Sequence, residues 1–173
     1  RQIMEVLRKT YSGSVGIEIV NPGHALGYID FPARQINAVI RLCGGIILRH
    51  GVMPDRVLAH SDIAPGRKVD PGEKFPWGKL ASKSIGHFVE PEPLSGGRFF
   101  ALGDEGQPID ALQAMLALLG YDMPVTGAFA GQTEKNMKAF QLHFRPEKID
   151  GVADVSTIAT LHKLLKAKPF PVS

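Results

Sequence analysis

Small or apolar residues alternate with others along Ser14-Val-Gly-Ile-Glu-Ile-Val20, where β-branched types are prominent and Glu18 is the one charge. That alternation predicts a strand, ended by Asn21-Pro-Gly23. From Pro32 the period changes: Ile36, Val39, Ile40, Cys43, Ile46 and Ile47 recur at helical spacing. A helix is therefore expected to open at Pro32, to be weakened by Gly44-Gly45 and to close at His50-Gly51. Val57–His60 reads as a second short strand delivering His60 to a loop, and Trp77 to about Ile85 as another helix. Strand, helix, strand, loop and helix form an α/β pattern.

Beyond Glu90-Pro-Glu-Pro-Leu-Ser-Gly-Gly97, a linker by composition, the pattern becomes purely helical. Amphipathic helices are expected over Ile109–Leu119, ending at Gly120, over Thr133–Phe144, with Met137, Phe140, Gln141 and Phe144 along one side, and over Ser156–Leu165. Gly127 precedes Thr133 by six residues and Gly151 precedes Thr157 by six, each a turn glycine followed by a helix-start hydroxyl. A small all-α three-helix domain with an internal repeat follows. The expected boundaries are residues 1–89 for the first domain, 90–101 for the linker and 102–168 for the helical domain.

At 173 residues the chain is long enough for one domain with a substantial core or two small ones. The net charge of +3 comes from the first half: residues 1–93 carry 12 basic and 9 acidic side chains, residues 94–173 carry 8 of each. No lysine- or arginine-rich run accompanies it, so nucleic acid is not an expected partner. Cys43 is the only cysteine, which excludes an internal disulfide and a cysteine-only zinc site; it reads as a small core residue. No apolar run reaches the roughly 18 residues or more of a membrane span. No signal peptide is visible, and the first residue is Arg1 rather than Met, so a leader or more upstream is compatible with the sequence.

The chemistry concentrates in Val57–Trp77. His60, Lys68 and Asp70 sit in one loop braced by Pro65-Gly66 and Pro71-Gly72. An imidazole and a carboxylate are both zinc ligands, and a nearby ammonium can stabilise an oxyanion. Asp62 competes as a ligand or serves as a turn or cap residue. Glu18 has two readings. Buried in its strand, its charged form would be disfavoured, as in a general base that activates water; on the opposite face from Ile17 and Ile19 it would be an outward strand residue. His24, in the glycine-rich loop after that strand, borders a substrate cleft or is an ordinary surface histidine. His50, His87, His143 and His162 have no ligand-like context.

Ser14–Val20, together with His60-Ser-Asp-Ile-Ala-Pro-Gly-Arg-Lys-Val-Asp-Pro-Gly72 and Phe75-Pro-Trp77, closely resembles the zinc-dependent N-acetylmuramoyl-L-alanine amidases, which share the fold of the peptidoglycan recognition proteins. Residues 102–166, notably Ala139-Phe-Gln-Leu-His-Phe-Arg-Pro146 and Ile149-Asp-Gly151, resemble the helical peptidoglycan-binding domain often appended to them. The resemblance implies an α/β amidase domain, a mixed sheet with flanking helices incomplete at its N-terminus, followed by the all-α domain. It implies zinc as cofactor, His60 and Asp70 as two of its three ligands, Glu18 as the residue that activates the attacking water, Lys68 as the residue that stabilises the tetrahedral intermediate, and peptidoglycan or muropeptides as substrate. The bond cleaved would be the amide between N-acetylmuramic acid and L-alanine of the stem peptide. The family's third ligand is a histidine on an earlier strand; no histidine precedes Ser14 here, and Arg1–Tyr11 matches the segment just before the glutamate strand. A second reading, from a different class, is a non-catalytic peptidoglycan-binding protein built on a degenerate or truncated amidase domain. A wall-binding domain places the protein in the periplasm or cell envelope, the alternative being the cytoplasm, in cell-wall recycling.

Overall fold

Two hydrophobic clusters organise the chain in the computed structural model, which describes residues 13–168. The first gathers Ile36, Val39, Ala59, Phe75, Trp77, Leu80 and Ile85, with Ile19, Phe31, Ile40, Cys43, Ile47 and Val57 packed around them. Its backbone is helix α1 (Ala33–His50), entered from Pro32 and closed by a left-handed Gly51 that returns its N–H to the Ile47 carbonyl. The expected stripe on α1 is the one that packs, except that Ile46 stays at its margin. Helix α2 (His60–Ile63) is a single turn. Helix α3 (Trp77–Ala81) is shorter than expected because Ser84 takes a positive φ of 60° and the chain turns back, Ile85 N–H reaching the Leu80 carbonyl.

The expected mixed sheet does not form among the described residues. Ser14–Val20 carries no ladder and is tied instead by its end, where the Gln35 amide donates to the Val20 carbonyl at 2.7 Å. Val57 and Ala59 are extended in backbone but join no ladder among the described residues, and His60 begins a helix rather than ending a strand. The physical reason is common to both. A strand is defined by a neighbouring segment that ladders with its N–H and C=O groups, and the described residues supply no such segment. The leading segment, Arg1–Tyr11, lies outside the described residues. Ile19 packs on the cluster while Glu18 is exposed.

The second cluster follows the helical expectation closely. Helices α4 (Gln107–Leu119), α5 (Gly131–Phe144) and α6 (Val155–Lys166) enclose Ile109, Leu112, Leu116, Phe129, Met137, Phe140, Phe144, Leu161 and Leu164. The internal repeat is deeper than its glycines and hydroxyls. Gln113, fully buried on α4, accepts from Thr126 N–H and Gly127 N–H and donates to the Ala128 carbonyl and Thr133 Oγ1. Gln141, fully buried on α5, does the same with Asp150 N–H, Gly151 N–H, the Val152 carbonyl and Thr157 Oγ1. One buried amide thus closes each loop, and the hydroxyls are its acceptors at the third residue of α5 and α6. The α6 N-cap is Asp154, which accepts from Thr157 N–H at 2.8 Å. Two isolated antiparallel bridges, Phe100 with Ala153 and Glu105 with Ala128, pin the incoming chain beside these loops.

The clusters meet through polar groups as well as apolar ones. Phe88 packs on both. The Pro-rich segment after it is fastened to α6: Glu92 N–H donates to Thr160 Oγ1 and Ser156 Oγ donates to the Glu92 carbonyl. At the centre, the Asp62 carboxylate of α2 accepts from Ala59 N–H at 2.8 Å, from the Tyr121 hydroxyl at 2.7 Å and from His143 at 2.6 Å. A carboxylate only accepts, so His143 Nδ1 carries the proton. The His143 ring stacks between Trp77 and Phe144, each at a centroid distance of 3.8 Å.

Two outcomes follow from this packing. Gln141→Leu leaves the Asp150 and Gly151 N–H groups and the Val152 carbonyl without their partner, and urea unfolding is expected to show a loss of about 2–4 kcal/mol; a loss below about 0.5 kcal/mol would contradict the loop-closing role. The second concerns alkaline pH. Burial, then the charge and hydrogen bond of Asp62, push the Tyr121 phenol well above its usual 10.0. Below that value both folded and unfolded chains keep the proton; above it the unfolded phenol ionises first, so the unfolded state binds fewer protons and stability falls as pH rises. Urea midpoints measured from pH 9 to 11 should decline, and Tyr121→Phe should flatten the decline.

Candidate functional site

Three turns of chain build the site. Ala59 is extended, and His60 opens α2 directly after it. The loop then folds back: Arg67 N–H and Lys68 N–H both reach the Ala64 carbonyl, and Ser61 N–H closes the loop on the Asp70 carbonyl at 3.1 Å. This brings His60 Nδ1 to 2.9 Å from Asp70 Oδ2, with side chains 44% and 59% exposed. The two expected ligands are therefore adjacent and open to solvent.

The pair tests well against a divalent metal ion. An imidazole nitrogen and a carboxylate oxygen suit an ion of borderline softness, and a tetrahedral site with bonds of about 2.0–2.1 Å sets neighbouring ligand atoms about 3.3 Å apart. Parting His60 and Asp70 by a few tenths of an ångström would meet that spacing. The described residues contain no group of three or more His, Cys, Asp or Glu side chains placed to hold one ion.

The segment after Asp70 is anchored by the loop that carries His24. Tyr28 donates its hydroxyl to the Pro71 carbonyl at 2.7 Å and accepts from Lys74 N–H at 3.1 Å. His24 Nε2 lies 2.9 Å from Glu73, and its ring leans on Tyr28 at 4.4 Å. Gly72 is the close-approach point. Its φ is +87°, and an added Cβ would fall 2.5 Å from the Tyr28 hydroxyl. His24 thus belongs to the wall of the same loop as Asp70. Lys68 and Glu18 are exposed, and among the described residues no side-chain hydrogen bond joins either of them to His60 or Asp70.

Asp62, open between ligand and cap from the sequence, faces away from this pair. Its side chain is 6% exposed, and its oxygens are taken by the Ala59, Tyr121 and His143 donors. His143, which carried no ligand-like context, proves to be the residue that sequence reasoning missed. The signal was present: between Lys138 and Arg145 no charged residue interrupts Ala139–Phe144, and all six positions are buried. A helix turn without a solvated face is covered on both sides, here by the helical cluster and by the metal loop.

Comparison with known proteins agrees with this division. Residues 9–73 match the N-acetylmuramoyl-L-alanine amidase family, and residues 105–161 match a peptidoglycan binding domain family. The chain is 37% identical over 161 residues to N-acetylmuramoyl-L-alanine amidase AmiD of Escherichia coli (strain K12), covering 88% of this chain and 57% of that protein. Over 64 residues it is 38% identical to 1,6-anhydro-N-acetylmuramyl-L-alanine amidase AmpD of Salmonella typhimurium (strain SL1344), covering 37% of this chain and 32% of that protein. Among solved structures, AmpDh3 from Pseudomonas aeruginosa superposes with a TM-score of 0.66 at 31% identity, over 83% of this chain and 57% of that one. The E. coli AmiD complex with the substrate anhydro-N-acetylmuramic acid-L-Ala-D-gamma-Glu-L-Lys also gives a TM-score of 0.66, at 35% identity, over 83% of this chain and 56% of that one. The chain therefore spans somewhat more than half the length of its longest-matching relatives. With its paired imidazole and carboxylate inside one matched region and its three helices inside the other, the chain belongs to the N-acetylmuramoyl-L-alanine amidase family and carries a peptidoglycan-binding domain.

Proposed function

We propose that the chain is the working part of a peptidoglycan hydrolase that cleaves the amide bond between N-acetylmuramic acid and the L-alanine of the stem peptide. The observation that carries this reading is the 2.9 Å approach of His60 Nδ1 to Asp70 Oδ2 inside the amidase-family region. The substrate class comes from the AmiD complex, whose bound molecule contains that bond.

In this reading His60 and Asp70 are two zinc ligands. Zinc, when bound, supplies a Lewis acid for the scissile carbonyl and lowers the pKa of a water toward about 7. The chain's own groups do the rest. The Glu18 carboxylate takes the proton of the attacking water. The Lys68 ammonium, exposed two residues before Asp70, faces the oxyanion that forms as the carbonyl is attacked. His24, held by Glu73 at 2.9 Å, lines the cleft on the Asp70 side. Residues 1–89 form the amidase portion, 90–101 the connection and 102–168 the domain that engages peptidoglycan. Among the described residues no helix is long and apolar enough to cross a membrane, and a polymeric wall substrate places the protein in the periplasm or cell envelope, a released muropeptide in the cytoplasm.

Two measurements test the reading. The purified chain dialysed against zinc should retain the metal, and His60→Ala should release most of it; zinc content unchanged in that variant would remove His60 from the ligand set. Glu18→Gln should keep its zinc and lose about 100-fold or more in turnover of a muramoyl-L-alanine substrate. Near-parental turnover would exclude Glu18 as the base.

A further inference from the structure

We infer that the helical domain positions the metal loop, with His143 and Tyr121 holding Asp62 so that α2 presents His60 toward Asp70. This inference rests on the reading of His60 and Asp70 as metal ligands. It assigns His143, Tyr121 and Asp62 no contact with metal or substrate; they are positioning residues.

The argument begins with the weakness of α2. Four residues form one turn, and a turn so short has no stability of its own. What holds it is its packing on α5 and the Asp62 side chain, which closes back on Ala59 N–H at 2.8 Å, one residue before His60. The same carboxylate receives His143 Nδ1 at 2.6 Å and the Tyr121 hydroxyl at 2.7 Å. Both of these donors come from the helical domain, His143 from α5 and Tyr121 from just beyond α4. Side-chain exposures of 2% for His143 and 6% for Asp62 keep water from substituting for them. A buried carboxylate deprived of a donor is strongly disfavoured, so loss of either one would drive Asp62 out and unwind the turn that carries His60.

A second contact bears on the same loop. Gly66 lies between His60 and Lys68 with φ at +75°, and the Lys135 side chain of α5 passes 2.7 Å from where its Cβ would stand. Both Asp62 and Gly66 therefore bear on α5. The side of the loop that faces away from them carries the exposed His60, Lys68 and Asp70. A module serving only to tether the enzyme to its substrate would not need a buried carboxylate and a close backbone approach at the foot of the metal loop.

The test uses the whole chain and zinc ion alone, with affinity read by competition against a chromophoric chelator. His143→Phe keeps a ring between Trp77 and Phe144 but removes the donor. It should weaken zinc binding about tenfold or more. His143→Asn, whose side-chain N–H takes the place of Nδ1–H, should return affinity to within about threefold of the parent. Tyr121→Phe, which removes one hydroxyl and is the milder change should His143→Phe fail to fold, should weaken zinc in the same direction. Parental affinity in both Phe variants would overturn the inference. So would equal losses in His143→Phe and His143→Asn, which would assign the effect to ring packing. A parent chain that binds no zinc would instead remove the metal-site reading itself, and this inference with it.

Discussion

Asp62 brings a carboxylate into a junction where its side chain is 6% exposed, and such a group is tolerated only where donors surround it. Three do: a backbone N–H of its own turn, a phenol and an imidazole. The rest of the site is arranged about that requirement. α2 is a turn because Asp62 closes it, and His60 leads that turn. The loop that follows returns to Asp70 through the hydrogen bond of Ser61 N–H to the Asp70 carbonyl. The two structural halves share one polar centre, and the paired side chains of His60 and Asp70 sit on its solvent side.

This arrangement separates two jobs within eleven residues of loop. On the side of the helical domain, the Asp62 carboxylate is buried and takes three hydrogen bonds. Groups facing outward, His60, Asp70 and Lys68, are exposed and available to ligands. The anchor on the other flank works by the same logic: Tyr28 bridges the Pro71 carbonyl and Lys74 N–H, fixing the backbone just after Asp70, whose carboxylate meets His60. If His60 and Asp70 hold an ion as proposed, their backbones are already ordered for it, and the surrounding shell is what holds first ligands in position.

How much of this the sequence disclosed depends on where each signal resides. The stripe on α1 and the three later helices were legible because a helix satisfies its own backbone, so local periodicity suffices. Ser14–Val20 alternates as a strand should and yet joins no ladder among the described residues, because a strand's ladder belongs to another segment. His60 and Asp70 were legible as a pair from the glycines and prolines that bend the loop. His143 was not: a single polar residue on a helix reads as a solvated face, and only the charge-free run around it hinted at burial. The glutamine half of the internal repeat was hidden for a different reason. Gln113 serves a glycine 14 residues on and Gln141 one 10 residues on, so no fixed period links them.

Trp77 is the only tryptophan, and it stacks on His143 at 3.8 Å, so its fluorescence reports the junction while far-UV circular dichroism reports the helices of both halves. If the Asp62 centre binds the halves into one unit, urea unfolding followed by the two signals will give coincident transitions. A fluorescence change completed at lower urea than the loss of helix would show a junction that opens while the helices persist, and would contradict the account.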